Sequence, residues 1–290
     1  MTPVLAGARP DDEVVRVTVI AVLLAAGLHA GWNALAKAQE DRLGLLARSC
    51  LVSIALALVG IVVFDVPKTA AWPWLAASIV IHLLYNAGLL YAYRVGDFNQ
   101  TYPLARGVGP VVVAIFAALV LQENLSLPAA AGVVLIAASI GVLGFTPWHR
   151  IRTQRAAVTA AVFTGLTIAA YTIVDGVGVR RSGSAGGYTM WLVGVQGLMT
   201  VLALVLLRRP RTRASWGASA AVAAMTAAAY GLVLWAQTRG ALAAVAALRE
   251  SSVVVAAVIG MLFFKEPMGR VRIAASIAVA AGVVLLALQV

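Results

Sequence analysis

Apolar runs of about twenty residues follow one another along nearly the whole chain, separated by short interruptions of charge, Gly or Pro. They predict helices at 16–37, 43–64, 71–94, 100–121, 127–145, 155–179, 187–207, 215–238, 243–264 and 270–289. Typical interruptions are Lys37 to Arg42, Asp65-Val66-Pro67-Lys68, Gln122-Glu123-Asn124, Thr146 to Arg155 and Arg180 to Gly187. Each run approaches the roughly 20 residues that one bilayer crossing needs. The chain therefore reads as an all-α integral membrane protein of ten transmembrane helices. Thr18 to Ala36 ends in Ala34-Leu35-Ala36, superficially like a signal-peptidase site. Asp11, Asp12 and Glu13 stand where a signal peptide would be basic, so the run reads as a retained first helix.

The pattern also repeats. Residues 91–145 align with residues 235–288 at an offset of about 143–144. Gly96 meets Gly240, Leu104-Ala105-Arg106 meets Ala247-Leu248-Arg249, and Gln122-Glu123 meets Lys265-Glu266. A similar offset sets His29 over Tyr171 and Asn33 over Asp175. Matches among Val, Leu and Ala mean little in apolar text, whereas paired Arg and paired Glu carry weight. Five crossings are an odd number, so the second copy must enter from the opposite side. The expectation is two inverted five-helix repeats around a central cavity, with substrate near the midplane. The divisions are an N-terminal tail at 1–15, repeats at 16–145 and 155–290, and a linker at 146–154.

Composition agrees with lipid as the main solvent. Of 290 residues, 62% are hydrophobic and only 11% charged, against about 25% charged in soluble domains. The net charge of +11 would suggest nucleic acid in a soluble chain, but here the basic residues lie between apolar runs, where they set topology on an anionic bilayer. The expected partners are thus the bilayer and a small molecule, with no nucleic acid and no cofactor. With both repeats in one chain, a monomer can be complete. The lone Cys50 excludes a disulfide within the chain and a thiolate metal site. Lys and Arg concentrate on the side opposite the termini, as in Arg150, Arg152, Arg208, Arg209, Arg211 and Arg213, which places both termini outside the cytoplasm.

Polar side chains retained inside spans cost energy and so mark function or pairing. On the first helix His29, Trp32 and Asn33 share one face by their spacings of three and four, and the repeat mate presents Tyr171 and Asp175. The third helix offers His82, Tyr85 and Asn86. The fourth holds Tyr102, Pro103, Arg106 and Pro110, and its prolines predict freed carbonyls facing protein or a cavity. Tyr230 and Trp235 come from the eighth helix, and Arg249 with Glu250 from the ninth. Without the two prolines, these fourteen residues, counting Tyr171 and Asp175, are the candidate cavity lining. Helix–helix hydrogen bonding is the competing reading for the polar ones. For the arginines the choice lies between holding a carboxylate or phosphate and structural pairing, either Arg249 with Glu250 or Arg106 with Asp175. His29, His82 and Asp175 are the candidates for proton coupling. Glu123 and Glu266 read as interfacial turn residues, and Trp72, Trp74 and Trp148 as belt residues.

Several stretches carry a family resemblance. They are Leu28-His29-Ala30-Gly31-Trp32-Asn33-Ala34-Leu35, Tyr91-Ala92-Tyr93-Arg94-Val95-Gly96 and Tyr102-Pro103-Leu104-Ala105-Arg106-Gly107-Val108-Gly109-Pro110, with the Glu123 and Glu266 terminations. Together they resemble the drug/metabolite transporter superfamily, specifically its EamA-like ten-helix members, over nearly the whole chain. The resemblance implies a basket of helices 1, 3, 4, 6, 8 and 9, with helices 5 and 10 peripheral. It implies transport of amino acids, nucleotide sugars, sugar phosphates or drugs, often as export across a bacterial inner membrane. An aromatic cavity with few charges is similar to what the amino-acid exporter branch offers, including exporters of aromatic amino acids. Cytoplasmic termini are common in such families, against the charge count, so orientation stays open.

The sequence thus predicts a secondary transporter working by alternating access, with hinges near 96, 103, 110 and 240. The alternatives are a transporter of another solute, a membrane-embedded enzyme, or a receptor. The chain has no His-Glu-x-x-His, no paired Asp motif and no Gly-x-Ser-x-Gly, so it reads as no enzyme.

Overall fold

The first helix starts earlier than the apolar run, because its opening turn is acidic rather than apolar. The computed structural model describes residues 10–95, 98–123, 125–145, 155–206, 213–264 and 270–287, and every regular element among them is helical. Helix α1 (Pro10–Lys37) begins at a proline, whose missing N–H would have been unpaired there anyway. Glu13 lies near the start of the helix, where negative charge suits the helix dipole. Helix α2 (Arg42–Val63) is capped by Asp41, which accepts from the Gly44 N–H at 2.8 Å.

A single 3-10 turn (Thr69–Ala71) leads into α3 (Trp72–Val95), followed by α4 (Phe98–Leu119) and α5 (Leu127–Phe145). Then come α6 (Arg155–Ser182), α7 (Ala185–Leu206) and α8 (Trp216–Gln237). Gly183, at φ +71, makes the tight turn between α6 and α7.

The ninth span departs from expectation. In place of one helix over 243–264 there are two, α9 (Leu242–Arg249) and α10 (Ser252–Phe264), before α11 (Arg270–Ala287). Across the break the backbone tightens to i→i−3 bonds, Glu250 N–H to Ala247 O (3.0 Å) and Ser251 N–H to Leu248 O (3.1 Å). Such irregular backbone survives at membrane depth only where protein covers it, and residues 242–252 are all buried. Meanwhile α4, with Pro103 and Pro110, runs unbroken.

Among the described residues, six spans are long and apolar enough to cross a membrane: α1, α2, α6, α7, α8 and the α9–α10 segment. Shorter apolar stretches lie in α4, α5 and α11. Burial separates central from peripheral spans, with 61% of the apolar window inside the protein for α6 and for α9–α10, against 17% for α2 and α7. The main packings are α3 on α6, α1 on α8, α4 on α6 and α5, α5 on α11, and α2 on α7. The fifth and tenth spans are less marginal than the resemblance implied. Ile136 and Ile140 of α5 with Val279 and Leu286 of α11 enter the main apolar cluster beside Val22 and Leu248. Gly132 and Gly282 let those two backbones touch, since a Cβ on Gly132 would lie 2.8 Å from the Gly282 carbonyl oxygen.

Candidate functional site

Among the described residues, four charged side chains are buried inside spans: Arg106 (5% exposed), Asp175 (0%), Arg249 (8%) and Glu250 (2%). Their pairing differs from both alternatives the sequence left open. Arg106 pairs with the Glu250 carboxylate, with Nε 2.9 Å from Oε2. Its Nη2 donates to Ser252 Oγ at 3.1 Å. Residues two apart on a regular α-helix face opposite ways, so one guanidinium could not hold both Glu250 and Ser252. The break between α9 and α10 brings both to the same side. Glu250 lies within electrostatic reach of the adjacent Arg249, whose guanidinium turns toward Tyr171. Arg249 donates from Nη2 to Tyr171 Oη at 3.1 Å, with its guanidinium carbon 5.9 Å from that ring's centroid.

Asp175 forms a second centre. Its carboxylate accepts from Tyr188 Oη at 3.0 Å and from Tyr230 Oη in a short hydrogen bond, and Ser78 lies close by. A buried carboxylate with several hydroxyl donors is satisfied without a cation. Ser78 belongs to α3, one turn before His82. His82 Nδ1 lies 2.9 Å from the Ser78 carbonyl oxygen and 3.1 Å from Ser78 Oγ. A carbonyl only accepts, so the network assigns the hydrogen to Nδ1 and leaves Nε2 with a lone pair. The imidazole stacks on Tyr171 (centroids 4.2 Å, 23°) and meets Tyr230 edge-on at 5.9 Å. Tyr85 meets Tyr171 edge-on at 5.6 Å. The two centres are thereby joined through Tyr171, Tyr230 and His82.

Helix α1 closes the cluster. His29 lies within electrostatic reach of Arg106 and Arg249. Trp32 Nε1 donates to His29 Nδ1 at 3.3 Å, and Asn33 Nδ2 donates to the His29 carbonyl at 2.7 Å. The helical spacing of these three residues thus serves contacts within α1, while Trp32 packs toward Leu45 and Val222. Asn86 is half-buried on α3. Trp235 sits apart, under the Arg239 guanidinium (4.1 Å) at the end of α8. The side chain of Tyr102, and all of Glu266 and Trp148, lie outside the described residues. Tyr188, Ser78 and Ser252 were missed from sequence; a tyrosine near a helix start and serines in apolar runs carry no positional signal.

Glu123 has a defined task at one end of the bundle. Gln122 adopts φ 56, and Glu123 then accepts the Leu242 N–H at the start of α9 (2.7 Å) and pairs with Arg180 Nη1 (2.9 Å). Arg180 also holds the carbonyls of Gln237 (2.8 Å) and Gly240 (3.0 Å). The residue organises entry to a helix, but to α9 rather than to the helix that follows it.

With helices of this order around such a cluster, relatives become informative. Residues 155–288 match the EamA-like transporter family. This EamA-like region is a little under half of the chain and supports the drug/metabolite transporter resemblance. It also supports a membrane transporter of small solutes rather than an enzyme. Among solved structures, 28 chains match. One, described only as "Crystal structure of protein", aligns at TM-score 0.72 over 94% of this chain and 96% of its own, at 16% identity, which shows the fold alone. No curated protein matches. The EamA-like region supplies Tyr171, Asp175, Tyr188, Tyr230, Arg249 and Glu250, while His29, Ser78, His82 and Arg106 come from the part before it.

Proposed function

We propose that the chain is a secondary transporter, an exporter of amino acids including aromatic ones, working by alternating access around the buried cluster. The observation carrying this reading is the Arg106–Glu250 pair, a charged link between the fourth and ninth spans where lipid-facing chemistry has no use for charge. The fourteen residues picked from sequence, less Trp235, are the proposed lining, with Tyr188, Ser78 and Ser252 added.

Two inverted halves, 16–145 and 155–290, are part of the proposal. The packing supports it: α3 on α6 and α1 on α8 exchange when each span is replaced by the one five later, and α2 on α7 and α5 on α11 map onto themselves. Rocking of one half on the other would expose the cluster alternately. The bacterial inner membrane is the proposed location and a monomer the proposed unit. For proton coupling, His82 is favoured over His29, because its Nε2 lone pair is the atom placed to take a proton.

The test is efflux of labelled L-phenylalanine and L-threonine from liposomes containing the purified protein, with and without a pH gradient. Flux of neither amino acid would overturn the substrate class. Flux insensitive to the pH gradient would overturn coupling and leave facilitated diffusion.

A further inference from the structure

At the end of the bundle where α4, α6 and α8 finish, the turn between α8 and α9 is held through its main chain. Arg180 donates from Nε to the Gln237 carbonyl (2.8 Å) and from Nη2 to the Gly240 carbonyl (3.0 Å). Glu123 accepts the Leu242 N–H at 2.7 Å and ties back to Arg180 Nη1 at 2.9 Å. Three backbone groups of the turn thus meet one ion pair, whose members come from the two proposed halves. The pair is 33% exposed on the arginine and 15% on the glutamate, and ion pairs within reach of water hold weakly. The other flank of α6 is fastened by backbone. There the Lys68 N–H donates to the Ser182 carbonyl at 2.9 Å, and Gly187 sits against the Asp65 carbonyl with no room for a Cβ. The turn also leads to both buried centres. Tyr230, which bonds Asp175, lies about two turns of α8 before Gln237, and Arg249 about two turns after Leu242. Asp175 itself is about 7.5 Å along α6 from Arg180.

We propose that Glu123 and Arg180 form a clamp on the α8–α9 turn, and that release of this turn opens the bundle at that end toward Asp175. The inference rests on the transporter reading for its purpose and names a gate for that same site. A turn that moves with α8 draws Tyr230 off Asp175, so opening at the end and loosening of the centre are one event. Elements that move in such steps come from the weakly held part of a fold, and a partly exposed ion pair is a hold of that kind. The opposite end is tied in another place. Asp41 accepts the Arg213 N–H at 2.7 Å, and Arg48 bonds the Ala214 carbonyl. Those ties lie beside α2 and α7, the least buried of the six long spans, whereas the clamp lies on α6 and α9, which carry Asp175, Arg249 and Glu250.

The experiment uses the full chain in lipid nanodiscs with Cys50→Ser and Ser78→Cys, and reads the rate at which a charged maleimide labels the new thiol. Ser78 is fully buried beside Asp175. Arg180→Gln, which frees the two carbonyls and Glu123, is expected to speed labelling at least about fivefold, the factor equivalent to about 1 kcal/mol. Glu123→Gln keeps an acceptor for Leu242 and is expected to speed it less. An unchanged rate in Arg180→Gln would overturn the clamp. So would an equal acceleration at Ser219→Cys, buried at the opposite end of α8, because that is general loosening. A second arm joins Arg180→Cys to Gly240→Cys with a reducible bifunctional thiol reagent in liposomes. Amino-acid flux is expected to stop on joining and return with reductant, and flux that persists through the joined chain would also overturn the clamp. Faster labelling of Ser78→Cys in Arg180→Gln with no flux in the unmodified chain would keep the clamp and sink the amino-acid reading. Flux with labelling indifferent to Arg180 would do the reverse.

Discussion

Arg106 and Glu250 meet at 2.9 Å from helices 144 residues apart in sequence (250 − 106), and the meeting depends on a break in the helix that carries Glu250. Removing one member leaves the other's charge buried without its counter-charge, which costs about 3–5 kcal/mol. Arg106→Met and Glu250→Met are each expected to lose about that much, while the double variant regains most of it. Thermal unfolding of the three variants in one detergent checks this. A double variant no more stable than either single one would show that the pair is not the source of the loss.

The Asp175 centre behaves as a unit. Tyr188→Phe and Tyr230→Phe each remove one donor from the carboxylate, at about 1–3 kcal/mol apiece. Combined with Asp175→Leu, either change should cost much less, since the acceptor is already gone. Unfolding midpoints over this double-mutant cycle are the measurement, and simple additivity is the adverse result.

Glu123 holds α9 through two contacts of unequal worth. Its bond to the Leu242 N–H resembles a helix cap, worth about 0.5–2 kcal/mol. Its pair with Arg180 is one-third exposed on the arginine side and contributes at most about 1 kcal/mol. Glu123→Gln keeps an acceptor for the N–H and is expected to be the milder change, with Glu123→Ala the harsher. Hydrogen exchange at the first turn of α9 reads the difference directly.

Gly132 and Gly27 make a matched pair of tests. A methyl group on Gly132 would press on the Gly282 carbonyl at 2.8 Å, whereas one on Gly27 meets nothing within 4 Å. Gly132→Ala is expected to destabilise by about 1–3 kcal/mol through overpacking. Gly27→Ala should gain roughly 0.5–1 kcal/mol from helix propensity. Opposite shifts in unfolding temperature are the expected outcome.

The spans were legible in sequence because lipid enforces one rule over some twenty residues at a time. The break at Glu250 was not. Residues 242–264 hold no proline, and the two prolines that advertised a kink lie in α4, which stays whole. Arg106, Asp175, Arg249 and Glu250 announced themselves as charges in apolar text, but their pairing is a property of how helices cross. Sequence adjacency pointed to Arg249 with Glu250, whereas the Glu250 carboxylate meets Arg106. The spacing of His29, Trp32 and Asn33 indicated a shared face and could not show that the contacts stay within α1. Tyr188 finds Asp175 through the α6–α7 turn, so no periodicity within one helix could reveal it.

The distance in sequence between Arg106 and Glu250 has a consequence for synthesis. At about 5–20 residues per second, Arg106 waits roughly 7–30 seconds before its counter-charge exists. During that interval α4 is a poor guest for lipid, because a lone arginine at mid-span costs several kcal/mol. The fourth span therefore depends on shelter by the insertion machinery or by earlier helices until the ninth arrives. The ion pair records, in one contact, that the chain has been made as far as its ninth span.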